Sequence, residues 1–178
     1  MFVATGSSAA AFCDWVRRLG ESAEVLGDRL PDDLKLLHLE AQPLLTAAGS
    51  SGLRDLLDAA RRQGALVSID LGGAEWIRAH GASRSAYQLA TIQPDILFAA
   101  EEPAAELGAP LEGIASVPVI KLGADGCTVY GRRLLAPAGA ALKDEALAAA
   151  FCVAFVGGAA PVEAAGRAVL VAAMELAQ

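Results

Sequence analysis

Aromatic side chains are scarce in this chain, 5% of 178 residues against 54% hydrophobic residues in all. A core must then be packed from Ala, Val, Leu and Ile, which suits helices lying close on a sheet, and the length is enough for one domain, 1–178, with a buried interior. Positive charge is short as well: 14 Lys and Arg stand against 21 Asp and Glu, for a net charge of −7. No basic run exceeds two residues; Arg17-Arg18, Arg61-Arg62 and Arg132-Arg133 are separate pairs. Nucleic-acid binding needs a concentrated positive field, so that class of partner is set aside. The three cysteines, Cys13, Cys127 and Cys152, are an odd number without metal-ligand spacing in apolar surroundings. They are expected to be buried, reduced thiols. The two histidines, His38 and His80, share no metal spacing either, and no G-x-S-x-G is present to mark a serine nucleophile. His38 falls inside an apolar run, where a hydrogen-bonded core residue is expected. The N-terminus lacks the basic opening of a signal peptide, and no uncharged apolar run reaches membrane-spanning length. The expectation is a soluble, cytoplasmic protein without a membrane partner.

What is present is an alternation of elements. Residues 2–5 read as a short strand, and Gly6-Ser7-Ser8 as a turn opening a helix to about Leu19, with Ala11, Phe12, Trp15, Val16 and Leu19 at helical spacing. Leu34 to Glu40, Leu66 to Asp70, Ile96 to Ala99 and Val117 to Leu122 read as buried strands. Between the first two, Ser50 or Ser51 can cap a helix whose face is Leu53, Leu56, Leu57 and Ala60, stopped by Gly64. Lys143 to Val156 and Pro161 to Leu176 read as two Ala-rich helices. Continuous apolar strands alternating with helices predict a mostly parallel sheet covered on both faces, an α/β/α sandwich. In such sheets ligands sit beyond the carboxyl ends of the strands. Asp70, Ala100-Glu101-Glu102 and Gly123 to Gly126 belong there on this reading.

Four segments taken in order carry a family resemblance across nearly the whole chain. Leu34 to Pro43 (LKLLHLEAQP), Ala59 to Asp70 (AARRQGALVSID), Asp95 to Leu107 (DILFAAEEPAAEL) and Ile120 to Gly126 (IKLGADG) resemble consecutive motifs of the ribokinase-like (PfkB) sugar and nucleoside kinases. Phe2-Val3-Ala4-Thr5-Gly6 is similar to a strand of the adenosine-kinase-like branch. The resemblance implies a ribokinase-like fold, with ATP or ADP as ligand and Mg²⁺ if the protein is active. Lys121, Gly123 and Gly126 would then approach nucleotide phosphates; the other reading of the two glycines is a strand-to-strand turn. Asp70 either faces the crevice or caps the turn that follows it.

The departures from the family pattern all concern chemistry. The family's G-A-G-D-A-F segment supplies an anion hole and a catalytic aspartate; here the matching stretch is Ala146-Leu147-Ala148-Ala149-Ala150-Phe151. Alanine at 149 cannot take a proton from an acceptor hydroxyl, and methyl groups at 146 and 148 obstruct close approach of backbone N–H groups to phosphate. Asp144 and Glu145 stand more than a helical turn from the base position, which makes them poor substitutes. The N-x-x-E motif, implied to organise Mg²⁺, maps to Ala100 to Pro103 and loses both defining residues. Glu101 and Glu102 remain as weak metal candidates against the plainer reading of a solvated loop pair. The family's N-terminal portion, with the lid and much of the acceptor site, has no counterpart before Met1, so a homodimer or partner chain is expected to cover the exposed surface, with residues 2–5 pairing at the contact. The reading is a catalytically silent kinase-like binding or assembly module with weak nucleotide affinity. The alternative is a sugar or nucleoside kinase completed by a partner chain.

Overall fold

A computed structural model describes residues 1–46, 50–140 and 142–174. Strand β1 (Phe2–Ala4) and helix α1 (Ala9–Arg18) lead to β2 (Ala23–Val25) and β3 (Leu36–Glu40). Helices α2 (Ala41–Thr46) and α3 (Ser50–Arg62) precede β4 (Leu66–Asp70); α4 (Glu75–His80) and α5 (Ala82–Ile92) precede β5 (Ile96–Ala100). Helix α6 (Glu101–Leu107), strands β6 (Val117–Lys121), β7 (Gly126–Val129) and β8 (Arg132–Leu135), and helices α7 (Asp144–Val156) and α8 (Pro161–Met174) complete the order. The strands form one sheet in the order β2-β1-β3-β4-β5-β6-β7-β8. The first six run parallel, and β7 pairs antiparallel with β6 on one side and with β8 on the other. This is the expected α/β sandwich with a mostly parallel sheet. The side chains capable of capping α3, Ser50 and Ser51, and the end of the last helix beyond Met174 lie outside what is described.

Two cores follow from the two faces. One packs α1, α7 and α8 on the sheet through Phe12, Val16, Phe98, Val119, Phe151 and Ala168. The other packs the remaining helices through Leu39, Leu57, Ile69, Ile77, Leu97 and Leu107. Strand residues alternate between the two, as a two-fold strand repeat requires. Helix α7 is buried at every position from Ala146 to Cys152. A helix hydrophobic on all sides must lie between other elements, and alanines let α1 and α8 come close to it.

The chain reverses direction across the sheet between β1 and β3. From β1 it goes outward to β2 by way of α1, then returns to β3 on the other side and proceeds toward β6 with its helices on the opposite face. The carboxyl ends of β1 and β3 therefore bound a topological switch point, where open α/β sheets form ligand crevices. The same topology corrects one expectation. Strand β1 is hydrogen-bonded to β2 and to β3, so residues 2–5 have no free edge with which to pair a second chain. Three-residue β2, too short for a periodic pattern, takes the outer position.

Candidate functional site at the carboxyl edge of the sheet

A crevice of about 260 Å³ opens at the switch point, lined among others by Ser7, Ser8, His38, Glu40, Asp70, Gly72, Lys121, Asp144 and Glu145. Register places its polar groups. Glu40 pairs with Asp70 across β3 and β4, and Ala100 with Lys121 across β5 and β6. By alternation these side chains share one face with His38 and Ser68, which lie one level below Glu40 and Asp70, and with Phe98, which pairs with Asp70 and lies one level below Ala100 and Lys121. Ala100 stands between Lys121 and β4 at the upper level, and its small side chain leaves the span open.

Lys121 Nζ donates to Asp70 Oδ2 at 2.8 Å and lies 3.1 Å from Asp144 Oδ2. Its side chain is 7% exposed, that of Asp70 15% and that of Asp144 52%. Burial, the largest single influence, pushes the ammonium pKa down; the two carboxylates outweigh it and the net shift is upward. Lys121 is thus a fixed cation joining β6, β4 and the start of α7. Asp70 also accepts the Gly72 N–H at 2.9 Å, so it does both things expected of it, capping the next turn and facing the crevice.

Glu40 closes the other side. It accepts the Ser8 N–H at 2.7 Å, the Ser8 hydroxyl at 2.6 Å and the Ser7 hydroxyl at 3.1 Å, at the N-terminus of α1. Burial raises its pKa, but these donors overcome that and hold it below the usual range. Gly6 is required here: its φ is +113°, and a Cβ would run into the Glu40 carboxyl group. Neither Glu40 nor the paired serines was singled out from the sequence. The signal that could have found them is a Gly-Ser-Ser turn after the first strand together with a carboxylate closing an apolar strand.

His38 forms the floor. It is 2% exposed and stacks on Phe12 with ring centroids 4.1 Å apart. Its Nδ1 lies 3.0 Å from Ser68 Oγ, which accepts in turn from the Cys152 thiol at 3.8 Å. Among the described residues no buried side-chain nitrogen or oxygen lacks a partner. His38 lines the crevice at its floor. Burial pushes the His38 pKa down to about 4, so the ring is neutral near pH 7. The same burial pushes Cys152 up to about 12 and Cys127 up to about 11. All three cysteines are buried and free, as expected.

The other sequence candidates lie away from this crevice. Gly123 and Gly126 flank the connection from β6 to β7, with φ of +56° and +106°. A Cβ on Gly126 would collide with the carbonyl oxygen of Leu134 in β8, so the close approach that needs glycine there is made by the hairpin itself. Glu101 and Glu102 begin α6; Glu102 is paired with Arg78 at 3.1 Å, and Glu101 lines a separate groove. Among the described residues no group of three or more His, Cys, Asp or Glu is placed to hold a metal. None of the described helices is long and apolar enough to cross a membrane.

Ala149 is wholly buried in α7, as is Ala146, and Ala148 is 1% exposed at the crevice wall. The helix begins before them, at Asp144, with Asp144 and Glu145 in its first turn. The positive end of the helix is therefore met by the chain's own carboxylates.

No family model and no curated protein sequence matches this chain. Solved structures do. Adenosine kinase from Sinorhizobium meliloti superposes with a TM-score of 0.71 at 16% identity, over 99% of this chain and 71% of that one. A probable sugar kinase from Rhizobium etli CFN 42 gives 0.67 at 16%, over 83% and 50%, so the chain spans half of that protein's length. Fructokinase from Halothermothrix orenii gives 0.63 at 15%, over 95% and 87%. At these identities the likeness is one of architecture, and the chain has the ribokinase-like fold of the PfkB-type kinases.

Proposed function

We propose that this chain is a catalytically silent domain of PfkB-kinase fold, acting as a binding or assembly module with weak affinity for a nucleotide. The observation that supports this best is the start of α7. The position matched to the catalytic aspartate is Ala149, whose methyl group lies in the core. The backbone N–H groups that would face a phosphate belong to a regular helical turn carrying Asp144 and Glu145. A terminal phosphate brought there meets negative charge and no anion hole. Nucleotide affinity then comes from base and ribose, near Gly123 to Gly126, with little difference between ADP and ATP. Lys121 and Asp70 are occupied by each other, and no Mg²⁺ is needed unless phosphate is transferred. A cytoplasmic homodimer, or a complex with a chain that covers the open sheet edge at β2, belongs to the same proposal.

The alternative reading, a sugar or nucleoside kinase completed by a partner chain, has one observation in its favour. Asp144 is a half-exposed carboxylate at the crevice mouth, 3.1 Å from a buried ammonium. The test is ADP release from purified protein with ATP, Mg²⁺ and a panel of sugars and nucleosides. The silent-domain reading expects none above background. Turnover near the ordinary kinase range, about 1 s⁻¹ or more, that is lost in Asp144→Asn would establish the alternative.

A further inference from the structure

We propose that the groove between α6 and the β6–β7 part of the sheet binds a linear α,ω-diammonium compound, an apolar chain with a cation at each end. The groove lies on the opposite face of the sheet from the crevice at the switch point, so it goes beyond the reading of that crevice and does not rest on it. It is open for a topological reason. Parallel strands are joined through crossover helices that cover the sheet, whereas antiparallel β7 and β8 follow β6 by short turns and bring no helix to this face. By alternation Val117, Val119 and Lys121 point toward α7, and Pro118 and Ile120 point the other way, with Thr128 opposite Ile120. Helix α6 turns Pro103 and Leu107 into the core and sets only Ala104 and Ala105 along the groove. The space left is about 590 Å³, inside the common range for small-molecule sites, about 300–1,000 Å³.

The two ends of this apolar floor carry the charge. Glu101 opens α6 at the carboxyl edge of the sheet, Glu112 precedes β6 at the amino edge, and both line the groove. The five residues of β5 separate those edges, a height of about 13 Å at about 3.3 Å per residue. The neighbouring carboxylates Glu102 and Glu106 are both answered by Arg78. Glu101 and Glu112 are exposed, neither has a partner among the described residues, and the groove lining holds no Lys or Arg. The complement of such a surface is cation, apolar chain, cation. Tyr130 adds a third contact. With Gly131 it forms the two-residue turn between β7 and β8, at φ of +51° and +72°. That turn favours Asn, Asp or Gly at its first place, and a tyrosine there is an outlier. Its hydroxyl donates to the Ser116 carbonyl oxygen at 2.7 Å, just before β6. The ring is thereby held as an aromatic wall toward the Glu112 end, where an ammonium gains from the ring face as well as from the carboxylate.

The probe is octamethylenediamine, titrated into ¹⁵N-labelled protein at pH 7 and low ionic strength in an amine-free buffer. Three relatives separate its features: n-octylamine has one ammonium, octamethylene glycol has none, and trimethylenediamine has two without the chain to span the groove. The diamine is expected to shift the amides of Glu101, Ala105, Glu112, Ile120, Thr128 and Gly131 saturably and together, and more weakly at higher salt. Octylamine should bind about threefold to tenfold more weakly, the glycol and trimethylenediamine at least about tenfold. Glu101→Gln and Glu112→Gln, both at exposed positions, should each cost the diamine about threefold to tenfold, and the double change should bring it to the level of the glycol. Ala105→Lys, also exposed, places an ammonium in the groove and should abolish saturation. A diamine that causes no saturable shift, binds no tighter than octylamine or trimethylenediamine, is indifferent to both glutamine changes, or is outcompeted by Mg²⁺ at the same amides would overturn the proposal. Phosphate transfer from ATP would sink the silent-domain reading and leave this groove untouched, because the two sites are on opposite faces of the sheet.

Discussion

Replacing Lys121 by methionine should cost this protein more than any other single change at the crevice. The ammonium is 7% exposed and neutralises Asp70, itself 15% exposed, from two strands away. Without it Asp70 keeps the Gly72 amide as its hydrogen-bond donor and must stay ionised against burial or take up a proton. Breaking a buried pair from one side costs roughly 3–5 kcal/mol. The amide and the open crevice place this case at the lower end, about 3 kcal/mol. For a domain of this size that is a fall in Tm of about 6–12 °C. Asp144→Asn touches the half-exposed partner and should cost less than about 1 kcal/mol. The double change Lys121→Met with Asp70→Leu removes both charges and should recover most of the loss, since well-packed apolar replacements of buried pairs are often neutral. Urea denaturation of the three variants, monitored by circular dichroism and by fluorescence to test two-state behaviour, measures all of this. The pH dependence has a fixed sign. The folded-state pKa of Lys121 is raised above 10.5, so its stabilisation is complete below that value and is lost as pH rises through the folded pKa. The gap between wild type and Lys121→Met should be flat through neutrality and close only in alkali. If Lys121→Met costs no more than Asp144→Asn, the ammonium is solvated and the account of the crevice as a closed ionic junction is wrong.

Acid should act first through His38: with a folded pKa of about 4 against 6.5 unfolded, the unfolded chain binds the extra proton between those values. Stability is then full above about pH 6.5 and falls toward pH 4 by up to about 3 kcal/mol; denaturant midpoints that do not move across this window would contradict the buried neutral ring. Below that, protonation of Glu40, whose pKa is depressed, removes the tie to α1, and Glu40→Gln should flatten the acid limb. Ala149→Asp should not create a kinase but should destabilise by at least about 3 kcal/mol, because it puts a carboxylate in a fully buried position; a stable variant, or one that releases ADP, would mean that the position faces the crevice. Gly126→Val should loosen the β7–β8 hairpin, seen as faster amide exchange in Cys127 to Leu134, since φ is +106° and Leu134 blocks a side chain; unchanged exchange would mean that the hairpin does not require glycine there. Light scattering at micromolar concentration is expected to give a dimer, and a monomer would remove the proposed contact at the β2 edge.

The sequence by itself determined five adjoining strands of the sheet, β1 and β3 to β6, and the helices α1, α3, α7 and α8. Leu36 to Leu39, Val67 to Ile69, Ile96 to Ala99 and Val117 to Val119 are apolar runs that only a sheet covered on both faces can bury, and the alanine-rich α7 can only be an internal helix. These are local statements, since a run of apolar residues carries its own requirement for burial. It also determined what Ala149 cannot do, because no environment gives a methyl group a proton to exchange. Tertiary structure decided the rest. That β1 lies inside the sheet rather than at its edge depends on where a three-residue strand, Ala23–Val25, finds its partner. That Gly126 has no room for a side chain beside Leu134 depends on how tightly the hairpin closes. That Lys121, Asp70 and Asp144 meet, though up to 74 positions apart (144 − 70) in the chain, depends on strand register and on the turn at which α7 begins. Ionic contacts of that kind leave no periodicity in a sequence, because Coulomb attraction acts between whatever the fold brings within a few ångströms and is blind to the separation along the chain.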